Sequence, residues 1–588
     1  MILQSLYQLY ERLAADPEYG IAPPGFSPQK VSFKIVLRPD GSLLEPQSVD
    51  PKVQTVVLGE GKPSGAGINP CFLWDNQTYL LGRQPEGQKP GFAQKRFGAF
   101  RDRHLAVEQE IGSPAFGAVC RFLESWDPER LGELPLLDEV GTGFGVFQIQ
   151  GERGYVHEGP VVLAWWKKNL ATVDSAGVLG QCLITGAQEV AIARLHPKIK
   201  GVTGAQSSGA SIVSFNDSAY ESYGKAQSYN SPVGEEAAFR YGTALNALLT
   251  GPMASRHRLR IGDTTCVFWT EKKCPLEDVF AELFGSGSYA AEEVQDPDKL
   301  AQIKRLLAAI TSGGHYEKLD EIEADTPFFL LGLAPNAARL SVRFFYPSTV
   351  GEMLERLRAH HACMQMVREF EKPVGKRHAD PEFPPFWALL RETVRIGDDP
   401  APLLGGALVR AILTGAHYPL GLYAAILRRI HADRAINYLR AAILKAVLVR
   451  NYNTNLTPML DTENTDPAYL LGRLFAVLEK TQSDALPGIN ATIRDRFYSS
   501  ASATPLSVFP KLLRTYQHHL GKLSVGARIN RERLVQEIVD ALDSGGFPAQ
   551  LNMQGQGVFT IGYYHQRKAL FTAKAKDAEA ESPEPATL

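Results

Sequence analysis

The period of the hydrophobic pattern changes once along this chain, near Tyr346, and that change limits what the chain can fold into. Before it, short alternating runs dominate. Val31, Phe33, Ile35 and Leu37 alternate with Ser32, Lys34 and Val36, the spacing of a half-buried strand, and Pro39-Asp40-Gly41 then turns the chain. Cys71–Trp74 and Tyr79–Leu81 flank Asp75-Asn76 as a predicted hairpin. Phe144–Ile149, Val161–Trp166, Cys266–Thr270 and Leu340–Tyr346 are further predicted strands. After Tyr346 the spacing becomes helical. Thr349 and Glu352 form a capping box ahead of Val350, Met353, Leu354, Leu357 and Met364. Ile436, Leu439, Ile443 and Val447 make a second stripe. Asp466-Pro467 opens a helix carrying Leu470, Leu471, Leu474 and Leu478, with proline at its favoured first position. Thr504-Pro505 starts another helix, and Leu534, Val535, Ile538, Val539 and Leu542 mark one more.

The expected class is α+β: an irregular mixed α/β body over 1–346, a helical middle region over 347–458 and a C-terminal helical bundle over 459–575. Asn451–Pro458, rich in Asn and Thr, is the joint between the helical units, and 576–588 has no apolar face and is expected to be disordered. A length of 588 residues fits several domains, and 44% hydrophobic with 21% charged residues describes an ordinary folded chain. The first twenty residues read as an amphipathic helix and not a signal peptide, and no uncharged apolar run reaches membrane-spanning length, so a cytoplasmic location is expected. The six cysteines contain no C-x-x-C pair, which points to buried reduced thiols.

The chemistry is conspicuous for what it lacks. Gly59-Glu-Gly61-Lys62-Pro-Ser64 has the wrong spacing for a phosphate loop, and Gly141-Thr-Gly143-Phe-Gly145 reads as glycines opening a strand. There is no G-x-S-x-G elbow and no H-E-x-x-H helix. His360-His361 sits on a helix with position 361 on its apolar stripe, which reads as core histidine, and His518-His519 lies among cations. No catalytic residue, metal site or cofactor is expected, and the chain reads as a binding protein. The alternative is a nucleic-acid-processing enzyme with a dispersed metal site.

Net charge is −2, yet the cations cluster. Six lie between Arg83 and Arg103, six between Gly421 and Arg450, and eight between Arg494 and Arg533. Such neighbourhoods suggest local phosphate-neutralising grooves. The most unusual segment runs from Arg194 through His196, Lys198, Lys200, Gly204, Gln206, Ser207, Ser208 and Gly209 to Asn216, then to Tyr220, Tyr223, Lys225, Tyr229 and Asn230. It is a glycine-hinged loop whose amides suit base edges and whose lysines suit phosphates.

At this loop the chain resembles the large, Cas-eight-type subunit of type I-C CRISPR Cascade complexes. The resemblance runs through Met1–Leu6 with Tyr10, Gly20–Phe26, Phe72–Asn76, Tyr79–Gly82, Lys198–Gly201 and Gln206–Ala210 with Ser214–Asn216. It continues in Ser222–Gly224, Tyr241 with Ala244–Asn246, Leu471–Lys480 and Phe559–Tyr564. It implies a DNA-binding subunit partnered with other Cascade backbone subunits and a CRISPR guide RNA ribonucleoprotein. It also implies recognition of a protospacer-adjacent motif on target double-stranded DNA, help in opening the duplex, and recruitment of a helicase–nuclease effector.

Given that role, the motif-reading residues are expected to be Asn76, Gln206, Ser207, Ser208 and Asn216, with Lys95, Arg96, Arg101, Arg103, Lys198 and Lys200 on phosphate. Arg494, Arg496, Lys511, Arg514 and Lys522 are expected to hold the displaced single strand. The resemblance further implies a small subunit made by internal translation, and Met459, just after the joint, is a suitable start.

Overall fold

The computed structural model describes residues 1–50, 54–59, 62, 67–141, 143–173, 178–261, 264–284, 323–371, 379–542 and 546–580. The fold is α+β. Two compact units emerge: Met1–Ala254 with Ala334–Val342, and Ser255–Leu333 with Arg343–Leu588. The division is therefore not at the change of period, because the chain from Ser255 to Leu333 belongs with the helical unit.

In the first unit, α1 (Ile2–Ala15) packs Leu6, Leu9 and Leu13 inward and lies against the Glu235–Thr250 helix. The sheet is built on β1 (Phe26–Leu37). Antiparallel β2 (Leu43–Ser48) flanks β1 on one side, and β5 (Phe144–Ile149) flanks it in parallel on the other. β4 (Trp74–Asn76) closes the far edge, and β3 (Gln54–Leu58) pairs with the start of β1. Both faces of this sheet are covered. Phe33, Ile35, Leu37 and Phe147 join one core with Phe100, Phe116 and Phe122, while Val146 joins Trp74 and Val57 in another. The glycines before and within β5 have a packing reason, since a Cβ on Gly145 would overlap the Phe33 ring and one on Gly143 the Ser32 side chain.

Two predicted elements differ. The hairpin at Asp75-Asn76 is instead a strand running directly into a helix, α2 (Gln77–Leu80), because the Asn76 side-chain oxygen accepts from the Thr78 amide as a cap. Val161–Trp166, a predicted strand, lies in the helix Pro160–Val173. A short continuous apolar run carries no period of its own, and Pro160 at the helix start tips it towards helix.

A four-stranded sheet has the order Arg339–Thr349, Pro327–Asn336, Thr264–Thr270, Arg258–Ile261; the hairpin end Ala334–Val342 belongs to the first unit and the rest to the second. Every residue of Thr264–Thr270 is buried. The helices Val350–Met364, Tyr438–Tyr452 and Pro467–Ala485 form where their stripes predict, with Asp466 accepting from the amides of Ala468 and Tyr469. Pro467–Ala485 is buried on nearly all sides and crosses the C-terminal helix Met553–Ala580. A Cβ on Gly472 would sit 2.0 Å from the Phe559 carbonyl oxygen, and one on Gly562 2.1 Å from that of Tyr469. The two backbones touch there. One hydrophobic core extends from Leu259 through the middle helices to Tyr564, so the C-terminal helices share their core with the region before Asn451. The backbone of 576–580 continues the last helix, while 581–588 and most of the Gly59–Ser64 loop lie outside the described residues.

Candidate nucleic-acid interface

The expected site residues of the first unit fall into two clusters. One is built on α3 (Phe92–Leu105). Ala93, Phe97, Phe100 and His104 form its buried stripe. Arg96 and Arg103, seven residues apart, share one flank. Arg96 stacks 3.5 Å above the Phe92 ring, and Arg103 donates to the Pro70 carbonyl and lies 5.7 Å from the Phe72 ring. Lys62 joins this flank, 3.4 Å above Tyr79 and paired with buried Asp75. Burial pushes the Asp75 carboxyl up, while Lys62 and the amides of Cys71 and Asn76 pull it back. Lys95 is exposed and points away from the buried stripe, and Arg101 is on the opposite flank, paired with Asp102 at 3.0 Å. The four cations therefore do not form one row. Asn76 is half-buried with its oxygen engaged as the helix cap, which leaves its amide hydrogens.

His104 holds this cluster together, and sequence reasoning missed it. Its Nδ1 donates to the Phe100 carbonyl at 2.7 Å, so Nε2 is free to accept from the Leu73 amide at 2.9 Å. Burial pushes its pKa down to about 3. Leu73 sits at φ 62°, a left-handed conformation that this bond fixes.

The second cluster is the glycine-hinged loop. Ile199 and Ala210 exchange backbone hydrogen bonds of 2.8 and 2.9 Å, closing its neck. Asn246, on the Glu235–Thr250 helix, clamps the neck from below: its oxygen accepts from the Lys200 amide at 2.8 Å and its nitrogen donates to the Lys198 carbonyl at 3.0 Å. Gly201 and Gly209 have φ of 82° and 97°, where a Cβ would also strike Thr250 and Lys198. The lysine side chains are left exposed. At the tip, the Gly209 amide donates to the Gln206 carbonyl at 2.9 Å, making a tight turn. Gln206, Ser207 and Ser208 are exposed on it, and their side chains bond to nothing among the described residues.

Asn216 is exposed but engaged, accepting from Arg339 at 2.6 Å, and Arg339 also lies 4.4 Å from the Tyr220 ring. The backbone of Ser211 bonds to Ala338 and Leu340. Arg339 and Asn246 are the residues that sequence reading left without a role. Asn246 had a signal, a lone amide in an apolar helix stretch, whereas Arg339 meets Asn216 only through folding.

In the second unit the expected strand track divides. Arg494 lies 3.8 Å from Glu479, a buried carboxylate that also accepts from Tyr563 and Thr492. Its role there is internal. Lys511, Arg514 and His518 are exposed along one face of the helix Pro505–Leu520, with exposed Lys522 just beyond and exposed Arg496 on the preceding helix. Lys511 is 5.3 Å from the Phe497 ring. Among the described residues none of these cations but Arg494 has an ion pair. The Gly421–Arg450 cations are largely internal: Arg429 and Arg440 pair with Asp433, Arg440 also with Glu392, Lys445 is buried and Arg450 stacks on Tyr418.

His361 is buried, as its place on the stripe predicts, and His360 is buried beside it, bonding the Tyr418 hydroxyl at 2.7 Å. All six cysteines are free. Among the described residues no group of three or more His, Cys, Asp or Glu could hold a metal ion, and no helix is long and apolar enough to cross a membrane.

Fold and surface together describe a two-unit α+β protein that presents exposed cations and amides. The chain belongs to the CRISPR-associated protein (Cas_Csd1) family, whose model matches residues 6–571. No curated protein matches the chain.

Proposed function

We propose that this CRISPR-associated protein is the non-catalytic large subunit of a type I-C RNA-guided surveillance complex, and that it reads the protospacer-adjacent motif on duplex DNA. The observation that carries the reading is the Gln206–Ser208 turn. An amide and two hydroxyls stand exposed and without internal partners on a backbone locked by Asn246, Gly201 and Gly209. Exposed polar side chains carried on a fixed backbone turn suit hydrogen bonding to base edges, and exposed Lys198 and Lys200 on the same neck suit phosphate. Arg96 and Arg103 offer a second phosphate-binding flank beside Asn76.

Arg496, Lys511, Arg514 and Lys522 suit the displaced single strand, where charge is neutralised with little sequence reading. The partners are other Cascade backbone subunits, the guide RNA ribonucleoprotein, target duplex, the helicase–nuclease effector and a small subunit started near Met459. Incubating the purified chain with motif-bearing duplex and divalent metal tests the non-catalytic part: intact DNA is expected, and metal-dependent cleavage removed by chelation would contradict it.

A further inference from the structure

Ile396 is the most exposed large hydrophobic side chain among the described residues, at 105%, and Leu403, a little further on, is exposed to 89%. Trp387, just before them, is 40% exposed. All three lie on or beside one connection of the second unit, between the helices Phe386–Arg391 and Pro402–Thr414. The inward residues of those helices, Phe386, Leu389 and Leu408, belong to the core. A lone apolar side chain on a surface needs no explanation, but three along one short connection mark a contact with another macromolecule.

The tip of the connection is a fixed turn. The Asp398 amide donates to the Arg395 carbonyl at 3.1 Å, and Gly397 takes φ 98°, as the third position of a type II turn requires. Ile396 stands at the second position with its side chain in solvent. The stem is fastened: Glu392 accepts from Asn437 at 2.9 Å and from buried Arg440 at 2.7 Å, and the Thr393 hydroxyl donates to the Leu390 carbonyl at 2.6 Å. A knob already held in one conformation loses little entropy when it binds.

The charges around the knob select its occupant. Arg395 precedes Ile396, and Asp398 and Asp399 follow it, all three exposed and none with an ion pair among the described residues. Two carboxylates repel phosphate, so this surface suits a protein and not a nucleic acid. The order positive, apolar, negative is its own complement when reversed. A two-fold axis at Ile396 sets Arg395 of each copy against Asp398 and Asp399 of the other, with the two isoleucines in contact between them. Such self-complementarity is what an isologous dimer requires.

We propose that this connection is a self-association surface, through which two copies of the free chain form a two-fold dimer centred on Ile396, with Leu403 and Trp387 around it. The contact uses neither the Gln206–Ser208 turn nor the exposed cations of the helix Pro505–Leu520, and it stands independently of the motif-reading function.

The test is sedimentation equilibrium of the purified full chain, free of nucleic acid and of other proteins, over a wide concentration range. A reversible monomer–dimer equilibrium is expected. Ile396→Ser alters a side chain that lies wholly in solvent, so the circular dichroism spectrum should be unchanged while dimerisation weakens about tenfold or more, the scale of a central interface residue. Arg395→Asp alone, and Asp398→Arg with Asp399→Arg, should each weaken the dimer by opposing like charges. An equal mixture of these two proteins should recover it as a mixed pair. A parent chain that stays monomeric throughout overturns the proposal. So does a dimer indifferent to Ile396→Ser, or a mixture of the charge-reversed proteins that associates no better than either alone.

Discussion

At the scale of single residues, the buried histidines do the most to set how this protein responds to its medium. His104, His361 and His565 are neutral and buried, with pKa values pushed down by burial to about 3, about 4 and about 4. In the unfolded chain each returns to about 6.5, so the unfolded state binds more protons in the window between. The stability they contribute is therefore complete above about pH 6.5 and declines as pH falls towards the folded values. Each imidazole removes about 2 kcal/mol by pH 5. Urea midpoints measured at pH 7.5 and pH 5 should fall accordingly, and a flat profile would show that these sites do not hold neutral histidine. His104 adds a local structural consequence, since protonating Nε2 ends its bond to Leu73 in the loop whose Pro70 carbonyl accepts from Arg103.

Elements show what could be read in advance and what could not. The strand at Val31–Leu37 and the caps at Asp466-Pro467 and Thr349 were legible because their signals are local: alternation, a side-chain acceptor, a proline at the first turn. The Val161–Trp166 run misled because apolar residues in sequence fit a buried strand or a helix equally. Asn76 misled because Asp-Asn suits both a turn and a cap. At the candidate site, the exposed Gln206–Ser208 turn was legible from its glycines, while Arg339 and His104 were not, because their partners lie far away in sequence. Gly472 and Gly562 belong to the same class. Their spacing says nothing, yet a methyl group on either meets a backbone oxygen that no rotamer change can move. Gly472→Ala or Gly562→Ala should destabilise the second unit by about 3 kcal/mol or more, visible as a lowered melting temperature. An unshifted melt would mean that the helices do not cross so closely. On the helix Pro505–Leu520 the exposed cations give a further test. Reversing Lys511, Arg514 and Lys522 should reduce the salt slope of displaced-strand binding by roughly 0.7 for each phosphate no longer neutralised, with motif preference retained. An unchanged slope would remove these residues from the track.

For the molecule as a whole, the continuous core of the second unit bears on the proposed internal product. Met459 is exposed just ahead of the Asp466 cap, so a chain begun there contains a complete set of helices. It also loses partners: Tyr564 donates to the Val367 carbonyl, Arg567 pairs with Glu369, and Tyr423 donates to the carbonyls of Met553 and Gln554. A 459–588 fragment should therefore be helical by circular dichroism but melt below the full chain and self-associate through the uncovered surface. A fragment as stable as the full chain would contradict the shared core. The central claim, a reading head that senses motif bases through a rigid turn, is tested most directly by selecting targets from a randomised-flank library with the assembled complex. The parent should enrich one short flank. Gln206→Ala should relax a single position, a loss of about 1–3 kcal/mol for that base, while Lys200→Ala should weaken all flanks alike. A parent with no flank preference, or a Gln206→Ala variant whose preference is unchanged, would contradict the account.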